Sequence, residues 1–206
     1  MIYRLMTFTF LVAESVAVIA ATPPPEKPID PRPWQKAVEK ATPTKGLNMG
    51  SFRVQFEKTT LDEVRRAALA GQISHKGDAA ESTYWLCYTN LQPGMAERIW
   101  VIANGEVGGA EHSVTEINAQ ILPDGKATPD CPILPSKLTP VSLDNNLWLN
   151  SSEDDVFKKL GVPLHQTKSW RSYYYHNQKL DSGNWLWIQT GESRVTSLLT
   201  GQETGF

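Results

Sequence analysis

The chain has 206 residues, 40% of them apolar and 20% charged, and a formal net charge of −2. That length holds one medium domain or two small ones with a substantial core. The near-neutral balance excludes the basic footprint expected of a nucleic-acid-binding protein.

Residues 1–21, MIYRLMTFTFLVAESVAVIAA, fit a secretory signal peptide. Arg4 supplies the positive start, Leu5 to Ala13 the apolar stretch, and Ala20 and Ala21 the small residues that precede cleavage. Glu14 interrupts the apolar run and argues against an uncleaved membrane anchor, since a span needs roughly 20 apolar residues. The expected address is periplasmic or secreted, with no integral membrane span after leader removal. No cysteine directly follows the leader, so lipid acylation there is not expected. Cys87 and Cys131 form an even pair, most simply a disulfide in an exported chain. Two buried free thiols are the alternative if the leader reading fails. A zinc site would need Cys-x-x-Cys or paired histidines at ligand spacing, and neither is present.

Residues 22–50 read as a Pro-rich tether and a short helix. TPPPEKPIDPRP, Thr22 to Pro33, is expected to be extended and mobile rather than packed. Trp34 to Ala41 is the short helix and Thr42 to Gly50 a loop. The first folded unit spans residues 51–122. SFRVQFE alternates, with Phe52, Val54 and Phe56 on one face of a strand. Thr59 or Thr60 caps a helix with the apolar stripe Leu61, Val64, Ala68 and Leu69, which Gly71 ends. STYWLCYTNL and RIWVIA are strands joined by a turn, Asn104-Gly105 is a tight-turn signal, and HSVTEINAQIL is a further strand. Gly108 and Gly109 lack the Lys and the strand-to-helix context of a phosphate loop.

Residues 123–142 form a Pro-rich connector, and the second unit spans 143–206. Leu147 and Leu149 face one way. Ser151 or Ser152 caps a helix with Glu153, Asp154 and Asp155 in its first turn and Val156, Phe157 and Leu160 as its buried stripe. RSYYYHNQ, NWLWIQT and RVTSLLT are the strands that follow. The two units align. Val64 pairs with Val156, Trp85 with Tyr174, Trp100 with Trp187 and Gly105 with Gly191, at offsets of 92, 89, 87 and 86 residues. The predicted fold is therefore α+β, in two tandem repeats, each a short helix packed on an antiparallel sheet with aromatics on the opposite sheet face.

Ser152, Val156, Leu160 and Gly161 make a Ser-x-x-x-Val-x-x-x-Leu-Gly run, and Thr60, Val64, Leu69 and Gly71 make a looser copy with two extra residues. In these the chain resembles the small envelope α/β modules that include beta-lactamase inhibitory protein and the outer-membrane assembly lipoprotein SmpA/OmlA. It departs in lacking the Gly-Met that often precedes the Thr and in lacking a lipidation cysteine. The resemblance implies a helix packed on a small antiparallel sheet.

Strand alternation assigns the faces. With Leu186 and Ile188 against the helix, Ile99, Val101, Tyr84, Leu86, Tyr88, Tyr173 and Tyr175 also point inward. Trp85, Trp100, Tyr174, His176, Trp185 and Trp187 then point outward as a partner-binding face. The alternative is a second core, covered by the prolyl linkers or the C-terminal tail. Cys87 lies on that outward face, so a bridge to Cys131 would pin the connector across part of it. His75, His112, His165 and His176 form no metal-binding or catalytic spacing, and no nucleophile elbow is present. No cofactor, metal or catalytic residue is expected. The sequence points to a non-catalytic exported inhibitor or immunity protein that occludes an enzyme or toxin. An envelope-assembly factor and an enzyme of unrecognised type are the alternatives.

Overall fold

The computed structural model describes residues 21–28, 44–78, 81–105, 111–123, 125–177 and 182–204. The leader up to Ala20, the helix expected at Trp34–Ala41 and the Gly108–Gly109 pair lie outside the described residues.

Two short helices form where apolar spacing and caps coincide. Helix α1 (Leu61–Ala68) starts at Thr60, whose hydroxyl accepts from the Glu63 N–H while the Glu63 carboxylate accepts from the Thr60 N–H. This reciprocal cap satisfies two donors that the first turn would otherwise leave open. Helix α2 (Glu153–Leu160) starts at Ser152, whose hydroxyl accepts from the Asp155 N–H. Leu61, Val64, Ala68, Val156 and Leu160 are buried as predicted. Two members of the predicted stripes are not. Leu69 is the left-handed C-cap at φ 55° and 81% exposed, and Phe157 is 40% exposed beneath the Arg171 guanidinium. Both stand at the edge of a narrow apolar stripe, where a single further residue turns the side chain out of the core.

The small sheet contains β1 (Gly46–Met49), β2 (Phe52–Gln55) and β7 (Val141–Leu143) in the order β2-β1-β7, all antiparallel. The segment Thr42–Gly50 was expected to be a loop. It instead supplies the central strand, because Leu47 and Met49 alternate into the core and are both wholly buried. Two apolar residues are too few to announce a strand in a sequence.

The large sheet contains β3 (Ser74–Lys76), β4 (Thr83–Gln92), β5 (Met95–Asn104), β6 (Glu116–Leu122), β8 (His165–Gln166), β9 (Trp170–Asn177), β10 (Ser182–Gly191) and β11 (Arg194–Thr204). Its order is β3-β4-β5-β6-β11-β10-β9-β8, and every pairing is antiparallel. The fold is thus α+β, with antiparallel sheets and two helices among the described residues.

Main-chain bonds at the two helix starts correspond. Leu61 N–H donates to the His112 carbonyl and Val114 N–H to Thr59, while Glu153 N–H donates to Ser193 and Val195 N–H to Ser151. At the helix ends, the Tyr88 hydroxyl donates to the Ala70 carbonyl and the Tyr173 hydroxyl to Gly161. The sheet's inner face, the helices and the small sheet enclose one core. Leu86, Tyr88, Ile99, Val101, Tyr173, Tyr175, Leu186 and Ile188 all belong to it, as alternation predicted. Burial pushes the Tyr173 hydroxyl pKa up to about 12, and those of Tyr88 and Tyr175 up as well.

Candidate functional site

Alternation places the other half of each strand on the outer face of the large sheet, away from that core. Cross-strand neighbours there form rows. One runs Trp85, Ile102, Glu116, Gly201, Trp185 and Tyr174, and the next Cys87, Trp100, Asn118, Leu199, Trp187 and Ser172. All six aromatic and histidine positions expected on this face belong to strands β4, β5, β9 and β10. Their accessibility differs sharply between the two halves of the sheet.

Over β4 and β5 the face is closed. Trp85 is 3% exposed and Trp100 1%. With Cys87, Ile102 and Cys131 they make a second, smaller core. Cys87 and Cys131 are bridged, with Cα atoms 4.6 Å apart. The connector that carries Cys131 is also held to β4 by main-chain bonds. Thr89 N–H donates to Pro132, and Leu134 N–H donates to Thr89. The Thr89 hydroxyl donates to the Cys131 carbonyl. Both indole N–H groups donate to one acceptor, the Thr22 carbonyl, at 3.0 Å from Trp85 and 3.2 Å from Trp100. Thr22 N–H in turn donates to the Asp130 carboxylate at 2.5 Å.

These contacts correct two expectations. Trp85 and Trp100 do not present themselves to a partner; the chain's own segments seal them. The start of the Pro-rich tether is packed rather than free, because one of its carbonyls, that of Thr22, accepts from both buried indoles. Tyr174 is also buried, at 4% exposure, so it too is withdrawn from a partner. Its hydroxyl lies over Gly183, where an added Cβ would come within 2.5 Å of it.

Over β10 the face is partly open. Trp185 and Trp187 are half-buried, and His176 on β9 is exposed. The Trp185 ring crosses Gly201, where a Cβ would meet its Cζ2 at 2.4 Å, so the glycine provides the floor for the indole. Leu199 beside Trp187 is buried. Trp187 shares its row with Trp100. Cys87 follows Trp100 outward in that row, whereas Ser172 follows Trp187. The bridge that brings the connector over Trp100 therefore has no counterpart beside Trp187.

The middle of the face carries a charge that sequence reasoning passed over. Glu116 is 3% exposed, and Lys27 from the tether reaches its carboxylate at 2.6 Å. The same ammonium lies 5.7 Å from the centre of the Trp185 ring. Burial pushes the Glu116 carboxyl above its usual range, and Lys27 opposes that shift. At Asp130 burial acts upward too, but the bonds from Thr22, from Thr128 and from its own main chain together outweigh it and hold the carboxyl below its ordinary value. Strand alternation marks Glu116 as outward. Nothing local in the sequence signals that a lysine from the tether lies over it.

His75, Tyr84 and His112 stack in a row, with ring centres 4.3 and 4.6 Å apart. His75 Nε2 lies 3.5 Å from the Ser82 hydroxyl, at the outer limit of a hydrogen bond. Burial lowers the His112 pKa. Among the described residues no group of three or more His, Cys, Asp or Glu side chains could hold a metal. None of their helices is long and apolar enough to cross a membrane. No family model, curated protein or solved structure matches the chain.

Proposed function

We propose that this chain is an exported, non-catalytic protein-binding module that occludes a partner enzyme or toxin, with Trp185 and Trp187 at the centre of its contact surface. One observation carries the reading. These two indoles stand two residues apart on β10 and are only half-buried, on a sheet face whose other half the chain closes with its own segments. Trp side chains concentrate binding energy when a partner completes their burial. His176 contributes the exposed polar margin. Trp85, Trp100 and Tyr174 support the surface from within.

The Cys87–Cys131 bridge supports an address outside the reducing cytoplasm. The inhibitor or immunity role rests on the resemblance of the Ser152 and Thr60 helix runs to beta-lactamase inhibitory protein. An assembly factor tethered through Thr22 to Pro33 draws less support, since Thr22 and Lys27 are bound to the sheet.

We read the chain as two tandem helix-and-sheet units. Support comes from the strand order, which reads alike from either edge, and from the matched bonds at the helix starts and ends. The pairing registers favour matching Tyr88 with Tyr173 and Trp100 with Trp187, and moving Trp85 from Tyr174 to Trp170.

The test is capture of a partner enzyme from periplasmic extract, followed by assay of that enzyme with the purified chain. Inhibition that Trp187→Ala weakens about tenfold or more in a variant still folded by circular dichroism is the expected result. A captured enzyme that remains fully active when saturated with the wild-type chain would sink the occlusion reading. Equal inhibition by Trp185→Ala, Trp187→Ala and wild type would sink the placement of the surface.

A further inference from the structure

Among the described residues of the tether, Thr22, which follows the expected leader, is held at both its carbonyl and its nitrogen. Its carbonyl takes both buried indole N–H groups, and its nitrogen faces a carboxylate. Ala21, one residue earlier, is exposed. Removing everything before Thr22 would thus take away an exposed residue and leave the clasp in place. It would also change the chemistry of the nitrogen. A backbone amide offers one donor and no charge, whereas an α-ammonium offers three donors and a positive charge. Only the ammonium is a counterion for Asp130. Both donors make a charge-assisted bond to the carboxylate, but the ammonium adds the attraction of an ion pair and two further N–H groups.

We infer that the Asp130 carboxylate, the Trp85 and Trp100 indoles and the Cys87–Cys131 bridge form a binding site for the chain's own new N-terminus, created by cleavage between Ala21 and Thr22. The cleavage is an ordinary peptide hydrolysis by a leader peptidase. Water adds its hydroxyl to the Ala21 acyl carbon and a proton to the Thr22 nitrogen, the C–N bond breaks, and the free amine takes up a further proton. The leader departs with a C-terminal carboxylate, and the ammonium remains where the amide stood. Processing therefore strengthens the closure over β4 and β5 and the hold on the tether that carries Lys27 to Glu116. The inference rests on the leader reading, but concerns a contact that the partner-binding surface does not use.

Two measurements test it separately. Intact mass of the chain exported by a bacterial host should correspond to a start at Thr22. Recovery with residues 1–21 still attached overturns the leader reading and the processing step with it, and a different new terminus overturns the site. The second measurement compares oxidised chains in urea: one beginning at Thr22, one beginning Gly-Ser-Ala21-Thr22, and one beginning at Thr22 with its α-amine acetylated. Asp130→Asn should lower the folding constant about fivefold more in the free-amine chain than in the other two, since those lose a bond to a carboxylate but no ion pair. Asn is close to isosteric with Asp, so the variant keeps the shape of the pocket. Equal losses in all three chains would show that Asp130 binds a neutral amide only and would overturn the site.

Discussion

Trp100 and Trp187 occupy one row of the same sheet face, yet one is sealed and the other partly open, so truncating each tests the whole arrangement. Trp100 is 1% exposed, and its indole donates to Thr22 within a cluster that includes the disulfide. Trp100→Ala leaves a cavity that the bridged connector cannot easily collapse into, and such Trp-to-Ala changes cost about 3–5 kcal/mol. With a urea m-value of about 2 kcal/mol per molar, the midpoint should fall by about 2 M. Trp187 keeps a wet edge with room to rearrange, so Trp187→Ala should cost about 2 kcal/mol and lower the midpoint by about 1 M. Circular dichroism is the appropriate probe, because each variant loses a fluorophore. A Trp100→Ala midpoint within about 0.5 M of wild type, or a larger fall for Trp187→Ala, would refute the closure of β4 and β5 by residues 22 and 131.

Other outcomes follow from the same face. Replacing Cys87 and Cys131 together with Ser opens a bridge between positions 44 residues apart. Loop entropy alone predicts a loss of about 4 kcal/mol, which the main-chain bonds from Thr89 to the connector should reduce; denaturant titration reads the difference. Glu116 has a folded pKa raised by burial, so it favours the fold at pH below its unfolded value and withdraws that stability as pH rises through the folded one. Lys27→Met should deepen this loss as pH rises above the ordinary carboxylate range, and adding Glu116→Gln should abolish it. Thermal melts across that rise check both, and an unchanged profile for Lys27→Met would show that the pair carries no coupling.

How far the sequence was legible depends on what each residue pattern encodes. Period-two alternation sorted Tyr173 and Tyr175 from Tyr174, and Leu86 and Tyr88 from Trp85, because side-chain direction is a local property of the strand. Caps at Thr60 and Ser152 were visible for the same reason. Alternation names a face but says nothing of what lies over it. The cover on Trp85 and Trp100 is made of a backbone carbonyl at Thr22, a carboxylate at Asp130 and a disulfide. None of these leaves a periodic trace. The prolines of the tether argue for an extended chain, and an extended chain with few N–H donors is as able to lie along an aromatic surface as to float free. Strand β1 was missed for want of length, and the register between the two units because a run of aromatic residues aligns almost equally well after a short slip.

The pairing of β6 with β11 has a consequence for the order in which the molecule assembles. Strands β3 to β6, and again β8 to β11, pair with neighbours close along the chain and need only short loops to close. The β6–β11 ladder joins residues far apart along the chain, Glu116 to Gly201 and Gln120 to Ser197. Contacts of such separation form late, since chain entropy is lost before they return any stability. The seam at the centre of the finished sheet, like the pairing of Leu47 with Leu143 in the small sheet, is thus among the slow steps. Mutations along it should retard folding more than equal losses near either outer strand.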